Sequence, residues 1–343
     1  MSTRTTRLSP ERALARVARE LFRRAGLGLA AFAVFAAGPA PAGAQGAYPS
    51  RPITLVVPFA TASGSDILAR ILAKEMGEAL GQSVVVENRP GANGAIGAQQ
   101  VARAKPDGYT LLVGSATTNA TNYFFFPSKL GYRPEDFDVV AGVSSSPQVL
   151  WVAESYKGRR VTDLIADAKA RPGKISCGAG NAVTQVACEL LKKQAGVDIV
   201  TVSYKANGQA LADVAADQIT IAFSDSGAAM PYVEQRRVRP MAVAQAQRWP
   251  FLKDVPTTRE EGLPNLVLTA WGAVFAPART PPDVLEKLNA AVRRSNASEA
   301  AAELRRRAGG TDLWMPLDET RRFVASEVER WGEYIRVSGV KPE

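Results

Sequence analysis

A chain of 343 residues with 46% hydrophobic and 22% charged side chains is long enough for two α/β domains and has the balance of an ordinary globular protein, not of a disordered or fibrous one. Net charge is +9, but residues 1–44 hold seven Arg against two Glu, leaving about +4 for the remainder, too little to point to nucleic acid. The chain has no His and only two Cys, which excludes a Ser/His/Asp hydrolase, the common zinc sites and a His-activated thiol.

In chain order, a basic stretch from Arg4 to Arg24 precedes a short apolar core, Leu27 to Ala37, and then the small-x-small sequence Ala42-Gly43-Ala44. This is the pattern of an export signal, with cleavage expected after Ala44. The apolar run is short for a membrane span, and a retained anchor helix is the alternative. Arg23-Arg24 directly before the core fits a twin-arginine route as well as general secretion. The mature chain is expected to be soluble, monomeric and periplasmic.

Beyond Tyr48 strands and helices alternate. Ile53 to Phe59 reads as a buried strand, Asp66 to Leu80 as an amphipathic helix, Ser83 to Glu87 as a second strand, and Tyr109 to Val113 as a third that ends in Gly114-Ser115. The grammar restarts with a strand at Val149–Val152, a helix at Val161–Ala170 and a strand running into Cys177-Gly178-Ala179-Gly180-Asn181, followed by a helix to Gln194. Strand, helix and strand follow at Val200–Tyr204, Ala210–Ala216 and Ile219–Phe223, with further strands at Met241–Ala244 and Trp271–Phe275. Two helices, Pro282–Asn296 and Leu317–Ser338, close the chain. Such alternation predicts parallel sheets covered by helices. Cys177 and Cys188 fit either a disulfide of an exported protein or two buried thiols.

Ligands of open α/β sheets bind beyond the carboxyl ends of strands. Four such ends carry Gly, Ser or Thr leading into a helix: Ala60 to Asp66, Gly114 to Asn119, Gly178 to Thr184, and Ser224 to Gly227. A turn of this kind offers backbone N–H groups and the positive end of a helix dipole to an anion. Ser63-x-x-Asp66 also reads as a capping box. Gly91-Ala92-Asn93-Gly94-Ala95-Ile96-Gly97 has G-x-x-G-x-x-G spacing, not the dinucleotide fingerprint, and no turn carries the Gly-Lys-Ser/Thr of a phosphate loop. A G-x-S-x-G nucleophile elbow is missing too.

Four stretches, "YPSRPITLVVPF", "VVVENRPGANGAIGAQQVARAKPDGYTLL", "GVDIVTVSYKANGQALADV" and "WGAVFAPARTPPDVLEKLNAAV", resemble the Bug-type solute receptors of tripartite tricarboxylate transporters, in order and over the whole chain after Tyr48. The resemblance implies a type II periplasmic-binding-protein-like α/β fold with a ligand cleft between two domains, residues 45–146 plus 269–343 and residues 147–268. It implies no enzymatic activity, cofactor or metal, and it implies a small organic acid as ligand with permease subunits in the membrane as partners. A receptor of the same fold that presents its ligand to a membrane sensor is the alternative. In the family's first loop, Pro-Phe-x-Pro-Gly-Gly-x-x-Asp, Pro58, Phe59 and Asp66 match while Thr61-Ala62-Ser63 replace Pro-Gly-Gly. Gly178, Gly180 and Thr184 match the Gly-x-Gly loop and its Ser/Thr-bearing helix start, Val186 stands near the usual His, and Asp225 corresponds to the acid of Phe-Asp-Asn.

The expected ligand site therefore comprises Ala60, Ser63, Gly64, Ser65 and Asp66 on one rim and Asn181, Ala182, Val183 and Thr184 on the other, with Ser115, Thr117 and Asp225 between them. Amides and hydroxyls would hold a carboxylate, and Asp225 would meet a hydroxyl, water or donor on the ligand. The added Cβ atoms of Thr61-Ala62-Ser63 would reshape the pocket.

Overall fold

Leu55, Val56 and Val57 on one strand, and Leu150, Trp151 and Val152 on another, expose no surface. Consecutive buried residues mark strands covered on both faces, which only helices on both sides of a sheet provide. The computed structural model describes residues 48–61 and 63–340; the export signal and its cleavage point lie outside the described residues. From the first strand, β1 (Ile53–Val57), α1 (Gly64–Leu80), β2 (Val84–Asn88), α2 (Ala95–Ala102), β3 (Thr110–Ser115), α3 (Asn122–Phe125) and β4 (Phe137–Pro147) lead into β5 (Val149–Ala153). There follow α4 (Val161–Ala170), β6 (Ile175–Ala179), α5 (Ala182–Ala195), β7 (Ile199–Ser203), α6 (Asn207–Ala215), β8 (Ile221–Ser224), α7 (Ser226–Glu234) and β9 (Val238–Val243). The chain ends with β10 (Thr269–Pro277), α8 (Pro282–Asn296), α9 (Glu299–Ala308), β11 (Thr311–Asp312) and α10 (Leu317–Ser338).

The strands form two sheets, in the orders β11-β4-β10-β3-β1-β2 and β7-β6-β8-β5-β9. Both are mixed, which corrects the expectation of parallel sheets. The triplets β2-β1-β3 and β7-β6-β8 are parallel, while β10, β4 and β11, and likewise β5 and β9, join antiparallel. Of these strands, β4, β5 and β10 flank the points where the chain passes between sheets. β4 ends at Pro147 beside Thr269, where β10 begins, and β5 starts one residue on, at Val149. A strand that enters a sheet at the edge where the parallel strands end must run against them, as β10 and β5 do, whereas β4 leaves there and runs with β3.

Register places that edge. Gly272 of β10 pairs with Ser115, the last residue of β3, and Val149 of β5 pairs with Ser224 and Val243, the last residues of β8 and β9. Both crossings and the carboxyl ends of β1, β3, β6 and β8 thus share the adjoining edges of the two sheets. One hydrophobic cluster runs across, from Val56, Leu112 and Ala120 through Ala182, Val183 and Leu150 to Trp271 and Trp331. α8 packs on α1 and β4, and α10 packs on the turn Thr117–Thr121, on β4 and on α5. Tyr334 of α10 donates its hydroxyl hydrogen to the Val267 carbonyl at 2.6 Å. Glu327, 2% exposed, pairs with Arg330 at 2.5 Å; burial pushes its carboxyl above the ordinary range, against the Arg330 charge and the indoles of Trp271 and Trp331.

The glycine-rich stretch after β2 is a packing device. Gly94 has φ +83°, and a Cβ there would lie 2.6 Å from the Thr118 methyl and 3.2 Å from Pro58 Cβ. At Gly97 the nearest atoms would be the Arg89 oxygen and Pro58 Cα, both at 3.0 Å. These two residues let α2 lie directly on the turn after β1. Gly94→Ala combines a left-handed backbone with overpacking and is expected to destabilise the protein by about 1–3 kcal/mol, measured by urea denaturation. Unchanged stability would mean that this contact is slack.

Candidate functional site

The first rim is the start of α1. Ser63 caps the helix, its Oγ accepting from the Asp66 N–H at 3.2 Å, while the Ile67 N–H donates to the Ser63 carbonyl at 3.0 Å. Of the four N–H groups that a helix start leaves unpaired, this leaves those of Gly64 and Ser65. Ala60 and Gly64 are exposed and Ser63 and Ser65 half-buried; a Cβ at Gly64 would meet nothing within 4 Å. Asp66 points the other way. It is 2% exposed, receives Arg70 Nε and Nη2 at 3.1 and 3.0 Å, and receives Asn88 Nδ2 at 3.0 Å. The same Asn88 amide reaches the Phe59 carbonyl at 3.1 Å. Asp66 therefore locks the turn to the end of β2, and Arg70 neutralises a charge that would otherwise oppose an anion at this terminus.

The second rim is the start of α5. Asn181 Oδ1 accepts from the Thr184 N–H at 3.0 Å, and the Gln185 N–H donates to the Asn181 carbonyl at 3.0 Å. By the same accounting, the open donors are the N–H groups of Ala182 and Val183. The Thr184 hydroxyl is turned inward: it accepts from the Gly180 N–H at 3.0 Å and the Asn181 N–H at 3.2 Å, and lies 3.2 Å from Asn207 Oδ1. Thr184 has no exposed surface, so it shapes the turn. Gly180 also donates to Asn207 Oδ1 at 3.1 Å, and a Cβ on it would come within 2.1 Å of the Asn207 nitrogen. Only glycine permits that approach.

Between the rims, the Ser115 N–H donates to Thr118 Oγ1 at 2.9 Å, whose own hydrogen goes to Asn119 Oδ1 at 2.7 Å. Thr117, at 3% exposure, is nearly buried. Tyr132, its hydroxyl pushed up to about 12 by burial, donates to the Thr118 carbonyl at 2.8 Å. At the fourth turn, buried Trp151 donates its indole N–H to the Ser224 carbonyl at 3.2 Å. Asp225 caps α7 through the Ala228 N–H at 3.1 Å. Burial raises its pKa, and amide hydrogen bonds from Ala228, its own N–H and Gly227 pull the other way. Among the described residues no cation pairs with this carboxyl. Thr118 and Asn119 lie in the turn Gly114–Asn119 that the sequence had singled out, though not among its expected site residues, while Asn88 and Asn207, at and just beyond the carboxyl ends of β2 and β7, were missed although the same rule would have found them.

Two α/β layers with paired crossings and helix N-termini along the adjoining strand ends define a type II periplasmic-binding-protein-like receptor. The model of the tripartite tricarboxylate transporter family receptor matches residues 68–340, and the chain belongs to that family, one of periplasmic solute-binding receptors. It is 34% identical over 298 residues to protein BugT of Bordetella pertussis, covering 86% of this chain and 91% of that one. Among solved structures it is similar to an R. palustris protein with adipate, at 33% identity and TM-score 0.81, covering 86% of this chain and 100% of the other. It is also similar to MatC from Rhodopseudomonas palustris with bound malate, at 30% identity and TM-score 0.77, covering 84% and 100%.

The Asp225 shift has a testable sign. A folded-state value above the ordinary 3.8 means that the folded protein binds this proton more tightly than the unfolded chain does. The carboxyl therefore favours folding at low pH, and its contribution falls as pH rises from about 4 through the folded value. Asn keeps the acceptor for the Ala228 N–H but cannot ionise. In urea denaturation from about pH 4 to 8, Asp225→Asn should lose less stability with rising pH than the parent does; equal slopes would mean that Asp225 is not desolvated.

Proposed function

We propose that this protein is a periplasmic receptor that captures a small organic acid between its two layers and delivers it to the membrane subunits of a tripartite transporter. In this reading residues 45–146 plus 269–343 form one domain and residues 147–268 the other, hinged at the two crossings. The observation that carries it is the pair of helix starts, α1 and α5, each with two open N–H donors and no partner acid left unneutralised. Such termini favour a carboxylate. Membership of a solute-receptor family supports it, as do the adipate and malate of its relatives. Asp225 gives the site a second character: uncompensated by a cation, it suits a ligand with a hydroxyl or amine near the acid group, or a bridging water. Nothing in this arrangement needs a nucleophile, a cofactor or a metal.

Gly64 offers the cleanest test, because a side chain there meets no protein atom. In calorimetric titration with adipate, malate and tri- and monocarboxylates, the parent should bind at least one acid. Gly64→Trp should weaken that acid at least tenfold while leaving thermal stability nearly unchanged. A bulky residue that leaves affinity intact would move the ligand away from α1.

A further inference from the structure

The second rim is built from weak material. Gly178, Ala179 and Gly180 carry almost no side chain, and the bonds that shape the turn are polar contacts of Thr184, Asn181 and Asn207. Hydrogen bonds of this kind contribute little net free energy when water can replace them, and opening of the cleft admits water. Yet the turn is also closed covalently. Cys177 of β6 and Cys188 of α5 form a disulfide, with Cα atoms 6.0 Å apart and a sequence separation of 11.

The position of this bond is specific. Cys177 is fixed in the middle of β6, paired with Thr201 of β7 and Ile221 of β8. Cys188 lies midway along α5, one turn beyond Thr184. Every residue of the second rim therefore lies inside the loop that the bond closes. Neither cysteine has exposed surface, and thiol exchange requires access to a sulfur. The bond is a permanent brace. The first rim lacks a counterpart and relies on Asp66, Arg70 and Asn88 instead.

We propose that Cys177 and Cys188 are positioning residues of the ligand site, holding the Ala182 and Val183 amides in their binding arrangement while the cleft is open. Ordering a turn at the moment of binding costs affinity, and ordering it beforehand removes that cost. The inference rests on the carboxylate site proposed above, but it has a readout of its own in the free protein.

Hydrogen exchange of the unliganded protein is compared between the parent and Cys177→Ala/Cys188→Ala. A second pair, Cys177→Ala/Cys188→Val, restores core volume should the first fold poorly. Amides of residues 180–184 should exchange at least tenfold faster without the bond, while those of β1 and β3 stay as in the parent. Adipate or malate, whichever the parent binds, should bind several-fold more weakly, and Gly64→Trp in the parent background should leave exchange at 180–184 unchanged. Unaltered exchange at 180–184, or acceleration by the same factor throughout β5 and β8, overturns the brace. If the parent binds no acid, the carboxylate reading falls, and the exchange comparison alone decides the brace.

Discussion

Three backbone hydrogen bonds hold the two halves of the molecule in register. The Gln148 N–H donates to the Leu268 carbonyl at 2.9 Å, the Leu268 N–H to the Ala244 carbonyl at 2.9 Å, and the Ala244 N–H to the Gln148 carbonyl at 2.8 Å. Gln148 and Leu268 are the residues at which the chain passes between sheets, so the ring ties both crossings to Ala244, the residue that follows β9. Because β5 and β10 begin at this edge and pair antiparallel with β8 and β3, those parallel strands must end here. Every turn of the candidate site inherits its place from that geometry. In the proposed receptor, two paired crossings would confine the sheets to a hinge-like motion about a common line, where a single crossing would leave them free to twist about one strand.

Backbone accounting then separates turns that hold the structure from turns that can hold a ligand. Each helix start leaves donors without intrahelical partners. At α1 and α5 the capping side chain satisfies one of them, and the donors at the first two positions stay open. At α7 the Asp225 carboxylate draws on Ala228 and Gly227, so that terminus is spent on its own acid. The side chains around the open termini, buried Asp66 and Thr184 and half-buried Asn88 and Asn207, bond backward into strand ends.

Much of this was legible in the sequence. α4, α8 and α10 have the predicted bounds, because apolar periodicity, Pro near the helix start and Gly after the end act locally. β4 was not legible. Its eleven residues end in Ser144-Ser145-Ser146-Pro147, which reads as a loop until β10 and β11 on either side supply partners. α9 was missed because Arg and Glu make up half of it and, among its described residues, only Ala301 is buried. Strand direction was beyond reach for a related reason: alternation of strand and helix implies parallel pairing only while the chain stays in one sheet. For the site, the turns were visible as Gly, Ser and Thr at strand ends. Which side chains point inward was not, since Thr184 and Ser65 look alike in a sequence, and only tertiary partners such as Asn207 separate them.

The two acids of the site illustrate how the same residue type acquires opposite roles. Asp66 stands near a helix start with Arg70 one turn on and Asn88 beside it, so its charge is paid back locally and the α1 dipole remains available. Asp225 also stands at a helix start, but only amides answer it, and the α7 dipole is consumed. The positive ends of α1 and α5 and the acid at α7 thus give the site two poles without a cationic side chain in any of its four turns. Dipoles are short-ranged, and water screens them. In the proposed receptor their selectivity would therefore depend on the layers closing over the ligand and excluding solvent. A ligand that reached both poles would gain from such a closure, whereas an acid too short to span them would leave one pole to water.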